Sequence, residues 1–173
     1  YTYTSPERFR NPIMWESTFS ESANLLSVGY AVFGHGWKEH NKPLLKNPYA
    51  QFLKFETDFT KKWRVGDKTD LVGHVNAGVI WAYGNSTEAP YSEQFYVGGA
   101  NSIRAFTIRS IGPGLYHTNI AGASYLELTG DIKFVANLEY RPHLFGNLYG
   151  AFFIDAGNVW AMKNDGFRGE ASV

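Results

Sequence analysis

Hydrophobic and polar positions alternate with a period of two over five long stretches of the chain, the pattern of strands with one apolar and one polar face. Residues 13–25 set Ile13, Trp15, Ser17, Phe19 and Ala23 against Met14, Glu16, Thr18, Ser20, Ser22 and Asn24, with Glu21 intruding on the apolar side. Residues 51–63 set Leu53, Phe55, Thr57, Phe59 and Trp63 against Lys54, Glu56, Asp58, Thr60 and Lys62, and Lys61 lies near the end of the apolar face, where a lysine can snorkel. Residues 69–84 set Leu71, Val75, Ala77, Val79, Trp81 and Tyr83 against His74, Asn76, Gly78, Ile80 and Ala82. The alternation is cleanest in residues 124–141, where Ile132, Phe134, Ala136, Leu138 and Tyr140 oppose Asp131, Lys133, Val135, Asn137, Glu139 and Arg141. In residues 148–160, Phe152, Ile154, Ala156 and Trp160 oppose Phe153, Asp155, Gly157 and Val159. A polar lead-in to Pro12, a polar connection at 26–50 with room for a short helix, and a polar tail from Met162 complete the expected layout.

Strands of soluble domains average about 5 or 6 residues, whereas crossing a bilayer at a tilt takes about 9 to 11. All five stretches reach the longer figure. Their connections alternate long (26–50), short (64–67), long (85–123) and short (142–147), which is the loop and turn pattern of outer-membrane barrels. Trp15, Trp63, Trp81, Tyr83, Tyr140 and Trp160 fall near strand ends, as an interfacial aromatic girdle requires; plain core packing is the competing reading. A lipid-exposed sheet edge is not viable, and the smallest single-chain barrels have about eight strands, so five strands predict one incomplete domain, residues 1–173, within a larger barrel.

Composition narrows the function classes. Aromatics make up 17% of the 173 residues and the formal net charge is +0, which gives no electrostatic footprint for nucleic acid. Without cysteine there is neither a disulfide framework nor a thiolate metal site. No apolar run is long enough for a transmembrane helix, and the polar opening from Tyr1 has no signal-peptide pattern. The five histidines are dispersed without metal-ligand spacing, and Ser102 has no histidine or acid partner in sequence context. The expectation is therefore no enzyme, no cofactor and no metal.

One stretch, Phe95 to Gly114, cannot be read as another alternating strand. It is punctuated by glycine and carries Arg104 and Arg109 among apolar residues. Phe95-Tyr96-Val97-Gly98-Gly99 followed by Ser102-Ile103-Arg104-Ala105-Phe106 resembles the signature of the outer-membrane assembly superfamily that includes BamA, TamA and the two-partner secretion transporters. Asn137-Leu138-Glu139-Tyr140-Arg141-Pro142 and Phe152-Phe153-Ile154-Asp155-Ala156-Gly157-Asn158-Val159-Trp160 resemble the strands that follow that signature, in the same order. The resemblance covers the second half of a barrel of about sixteen strands, an even number within the known range, with the 85–123 loop tucked into the bore.

The resemblance implies a loop-lumen lock built from Gly98, Gly99, Ser102, Ile103, Arg104, Phe106, Glu139, Asp155 and Gly157. Alternation places Glu139 and Asp155 on the bore side, and a guanidinium can engage two carboxylates in a way lysine cannot. Gly98 and Gly99 are expected to let the loop backbone approach the wall. Ala105 stands where the family has glycine, so either the backbone there is ordinary or alanine is strained at φ > 0. The implied function is a non-enzymatic insertase or translocation factor of a bacterial outer membrane. Its implied partners are membrane lipids, unfolded β-barrel clients and periplasmic or lipoprotein accessory subunits. A two-partner secretion pore and a passive porin are the alternatives.

Overall fold

The computed structural model describes residues 1–6, 10–33, 43–44, 47–115 and 128–162. In chain order the elements are β1 (Thr2–Thr4), β2 (Ile13–Ser22), α1 (Asn24–Val32), β3 (Pro43–Leu44), β4 (Asn47–Pro48), β5 (Phe52–Gly66), β6 (Thr69–Ala82), β7 (Ile132–Arg141), β8 (His143–Phe145), β9 (Leu148–Tyr149) and β10 (Phe152–Trp160). Six strands form one antiparallel sheet in the order β1-β2-β5-β6-β7-β10, while β3-β4 and β8-β9 are separate small hairpins. Among the described residues the sheet is open, as an arc of a barrel wall is. Its main strands have 10, 15, 14, 10 and 9 residues, all of membrane-crossing length.

Register fixes the two faces. Phe59 pairs with Val75, Val75 with Ala136, and Ile154 with Leu138, so the apolar sets of successive strands share one face. Exposure shows which side faces outward: Phe19, Phe55, Trp81, Phe134, Phe152 and Ile154 are all exposed, Ile154 by 73%. An apolar face left bare over a whole sheet is the inverse of a soluble sandwich, and it suits a hydrocarbon surround. The same registers bring Trp63 and Tyr140 together at the end where β5 turns into β6, and Trp81 and Trp160 at the opposite end, while Trp15 pairs with Phe59, midway along β5. Two aromatic belts therefore bracket the apolar band.

The wall departs from the sequence expectation at four places. The lead-in is not wholly irregular, because β1 pairs with the start of β2 through Tyr3 and Trp15. The 13–25 strand stops at Ser22, which pairs with Phe52, the first residue of β5; beyond it the ladder has no partner. Ala23 then takes a left-handed φ of 62° and the chain enters α1, in part of the connection read as loop. The 148–160 strand is broken after Tyr149. Gly146, at φ 56°, closes the β8-β9 hairpin, and the Pro142 carbonyl accepts the Gly150 amide at 2.9 Å. Among the described residues the 124–141 strand begins only at Ile132, because Gly130 bridges Phe95 of the returning loop instead of continuing the ladder. Residues 7–9, 34–42, 45–46, 116–127 and 163–173 lie outside the described set, and with them parts of the lead-in, of the 26–50 and 85–123 connections, of the 124–141 strand and of the polar tail.

The long connection after β6 does fold back onto the polar face of the sheet. Phe95, Val97 and Ile103 from this loop are buried with Phe52, Ile80, Ala82, Val135 and Val159 from the bore side of the strands. Each such side chain removed from water contributes roughly 1.5–3 kcal/mol. The bore face thus divides by height: apolar near the loop-side end, charged and amide-bearing below.

Candidate functional site

The loop is fixed to the wall at three levels. At its base, Phe95 and Gly130 exchange backbone hydrogen bonds at 2.9 and 2.8 Å. The Phe95 ring lies on Gly78, where a β-carbon would come within 2.5 Å of it, so only glycine leaves room. Lys54 and Lys133 place their ammonium groups 4.9 and 5.1 Å from the ring centroid. On its way out, the loop is tied to β10: the Gly114 amide donates to the Val159 carbonyl at 2.7 Å, and Asn158 Nδ2 donates to the Gly114 carbonyl at 2.8 Å.

Between these ties the loop presents Arg104. Two successive tight turns, Ser102 N–H to Gly99 O and Phe106 N–H to Ile103 O, leave the Arg104 amide unused within the loop and aimed at the wall. That amide and Nε both donate to Asp155 Oδ2, at 3.1 and 2.8 Å, and Nη2 donates to Oδ1 at 2.8 Å. Asn137 Nδ2 supplies a further donor to Oδ1 at 2.8 Å. The Asp155 carboxylate, 6% exposed, therefore has all its acceptor capacity occupied. Nη1 reaches Glu139 Oε2 at 2.8 Å, while Glu139 Oε1 accepts from Arg141 Nε at 2.6 Å. The guanidinium plane rests 3.7 Å from the Phe153 ring centroid.

Local structure explains the constellation. Asp155 pairs across the ladder with Asn137, and Phe153 with Glu139, so two neighbouring cross-strand pairs on the bore face make a cage with three polar corners and one aromatic floor. Asn137 also donates to the Ser102 carbonyl at 2.7 Å, clamping the residue two before Arg104. Its Oδ1 meets His74 Nδ1 at 2.7 Å, and His74 Nε2 meets Asp58 Oδ2 at 2.7 Å. From Asp58 the network passes through Asn76 to Glu56 and Lys133, binding the lock into the wall across three strands.

The sequence-derived set divides accordingly. Arg104, Glu139 and Asp155 come together as paired carboxylates around one guanidinium, Ile103 is buried beside them, and Ser102 contributes its carbonyl. Gly98 and Gly99, at φ 105° and 92°, do not bring the loop close to the wall; a β-carbon there would strike Thr107 and Ile108, so they let the loop fold on itself. Phe106 is 52% exposed and takes no side-chain part in the lock, although its carbonyl accepts the Gly99 amide. Gly157 serves strand approach: a β-carbon there would meet the Phe134 carbonyl of β7 at 2.6 Å. Ala105 is exposed and has an ordinary negative φ; among the described residues of the loop, the non-glycine residue at positive φ is Arg109, at 59°. Arg109 stacks over Tyr96 and Tyr91, 4.6 and 5.3 Å from their centroids.

Asn137, Phe153, Arg141 and the Phe95–Gly78 seat were not assigned to the site from sequence. Alternation had put Asn137, Phe153 and Arg141 on the bore side, but their proximity depends on the β7-β10 register. Between loop and wall remains a cavity of about 520 Å³ lined by residues of both charges, including Lys54, Glu56, His74 and Lys133. The arrangement is a loop fastened to the wall beside a cavity with charged walls, roomy enough for many waters.

Comparison with known proteins bears on the whole constellation. Residues 39–171 match the Omp85 superfamily domain. A Xenopus laevis protein described as sorting and assembly machinery component 50 homolog B is 35% identical over 117 residues, covering 64% of this chain and 24% of that protein. The Homo sapiens sorting and assembly machinery component 50 homolog is 37% identical over 71 residues, covering 39% of this chain and 15% of that protein. The chain thus spans at most about a quarter of the length of these curated relatives.

Proposed function

Because the chain belongs to the Omp85 superfamily, we propose that it is the bore-lock portion of an outer-membrane β-barrel that assembles or inserts other β-barrel proteins without catalysing a covalent reaction. The observation that carries this reading is the Arg104 fastening, in which one loop guanidinium meets Asp155 through two nitrogens and Glu139 through a third. A loop folded into the bore of a passive pore narrows the channel, and a loose loop does that as well as a locked one. A barrel that must yield at one seam while the rest stays rigid does gain, since the brace confines deformation to the seam. Exposed strand edges at such a seam can template an incoming strand by edge addition. Partners in this reading are the surrounding lipids, unfolded barrel clients and accessory subunits. The relatives are vertebrate proteins, so we place the protein in an outer membrane without restricting it to a bacterial one.

The test is reconstitution of the full-length protein into lipid vesicles, with denatured β-barrel client added and its folding followed by heat-modifiable mobility. The expected result is client insertion faster than into empty vesicles, and a loss of that acceleration with Arg104→Ala while the variant itself still folds. Release of a soluble passenger across the vesicle wall without client insertion would instead assign the protein to secretion, and free passage of small solutes with neither activity would assign it to a porin.

A further inference from the structure

Of the two short connections between long strands, one is conventional: Arg64 to Lys68 is charged, and Val65, Asp67 and Lys68 are exposed at its tip. The other, at the same end of the wall, is not. From residue 142 to 154 the chain carries no Asp, Glu, Lys or Arg. It folds into the β8-β9 hairpin, whose tip displays Leu144, Phe145, Leu148 and Tyr149 at 51, 71, 49 and 57% exposure. The hairpin is ordered by its own contacts. Gly146 closes the turn, His143 Nε2 meets the Gly146 carbonyl at 2.8 Å, and the His143 and Tyr149 rings meet edge-on at 4.9 Å. An ordered hairpin with this much bare apolar surface is costly in water.

Its surface is continuous with the outward face of the sheet. Tyr140, at the end of β7, and Phe152, at the start of β10, pair across the ladder, and both are exposed on the apolar side immediately next to the hairpin. The apolar band therefore does not stop at the aromatic belt here; it runs on into the turn. We propose that the β8-β9 hairpin is a membrane-interface anchor, dipping its Leu144, Phe145, Leu148 and Tyr149 side chains into the headgroup and upper acyl region of the leaflet on the turn side. The chemistry fits that layer. Tyrosine and histidine supply polar edges to an otherwise hydrocarbon surface, and the apolar area compensates for lost hydration without any need for charge. The proposal rests on the reading that the outward face meets lipid, and the experiment tests that reading separately.

The chain has no cysteine, which makes single-site spin labelling direct. Labels are placed by Phe145→Cys at the hairpin, Ile154→Cys on the outward face and Asp67→Cys in the charged turn of the full-length protein, from which any cysteines outside this stretch have been removed. The protein is reconstituted in phosphatidylcholine and phosphatidylethanolamine vesicles, and collision with oxygen and with a water-soluble nickel chelate is measured. The expected result is an oxygen preference at 145 and 154 and a nickel preference at 67. A nickel preference at 145 overturns the anchor, as does exclusion of both reagents there, which would show that a protein segment covers the hairpin. A nickel preference at 154 overturns the membrane reading itself and the anchor with it. Leu148→Cys provides the same reading if the Phe145 variant fails to fold.

Discussion

At the scale of the residue, Arg104 works because of its shape as much as its charge. Three guanidinium nitrogens and its own backbone amide are each committed to a carboxylate oxygen. Removing it leaves Asp155 buried without its cation, the situation in which breaking an ion pair costs most, about 3–5 kcal/mol. Arg104→Ala should therefore lower the temperature at which the folded protein loses heat-modifiable mobility, and Arg104→Lys should recover only part of the loss, because one ammonium cannot reproduce the fork. Equal melting of all three proteins would remove the lock from the account. The two carboxylates should not be equivalent. Asp155→Asn loses the fork and disturbs the Asn137 clamp, whereas Glu139 touches one guanidinium nitrogen and is shared with Arg141. Asp155→Asn should be the more damaging by the same melting assay. Ala105→Gly should be close to neutral, within about 1 kcal/mol, since the backbone there is ordinary and glycine only loosens the unfolded chain. A large stabilisation would show that alanine is strained after all.

Among the elements, the loop is held by a base seat and a tip lock at different heights, joined through the wall network that runs from Asn137 to Lys133 beside the Phe95 ring. Phe95 on Gly78 buries an aromatic ring at the loop-side end of the bore, and Arg104 sits lower, against β7 and β10. Phe95→Ala should cost about 3–5 kcal/mol, as for other large-to-small changes in a packed core. Gly78→Ala should also eject the ring, because the added carbon occupies its place. Hydrogen exchange read by segment separates the two fastenings. Gly78→Ala is expected to raise exchange around Phe95 and Gly130, whereas Arg104→Ala raises it around residues 99–107 and spares the base. If either substitution frees the whole loop at once, the fastenings are one cooperative unit. The strand faces were legible from alternation, because period two ties side-chain direction to position whatever the partner. The ends were less so. The helix at Asn24–Val32 begins where β5 stops offering a partner to β2, and nothing local to residues 13–25 announces it.

Across the whole molecule, the inversion of apolar and polar faces is the property with the largest consequence. Val75 is exposed on the outward face, at the middle of β6. Val75→Arg should destabilise the folded protein by about 2–4 kcal/mol in a bilayer, the cost of a cation near the midplane of a barrel wall. In a water-exposed sheet the same change would be almost without effect, so a urea titration of the vesicle-bound protein distinguishes the two. The membrane environment also gives the internal lock its value. With lipid outside and water within, the wall has no continuous core, and the loop supplies the packed layer of Phe95, Val97 and Ile103 that an empty bore would lack.

What the sequence determined by itself was the part governed by local rules: strands long enough to cross a bilayer, the alternation that separates lipid face from bore face, the long and short connections, and a motif whose family resemblance sets Arg104 opposite Glu139 and Asp155. The tertiary structure alone decided what those residues have as neighbours. Pairing Asp155 with Asn137 and Phe153 with Glu139 is a matter of register, and one residue of slip in β10 would have turned Asp155 and Phe153 toward lipid while Asn137 and Glu139 stayed in the bore. The seat of Phe95 on Gly78 joins positions on two segments whose meeting depends on the path of the loop, and the roles of Gly98 and Gly99 depend on which strand of the loop returns against them. Alternation is written residue by residue, whereas contact is settled only when the chain closes on itself.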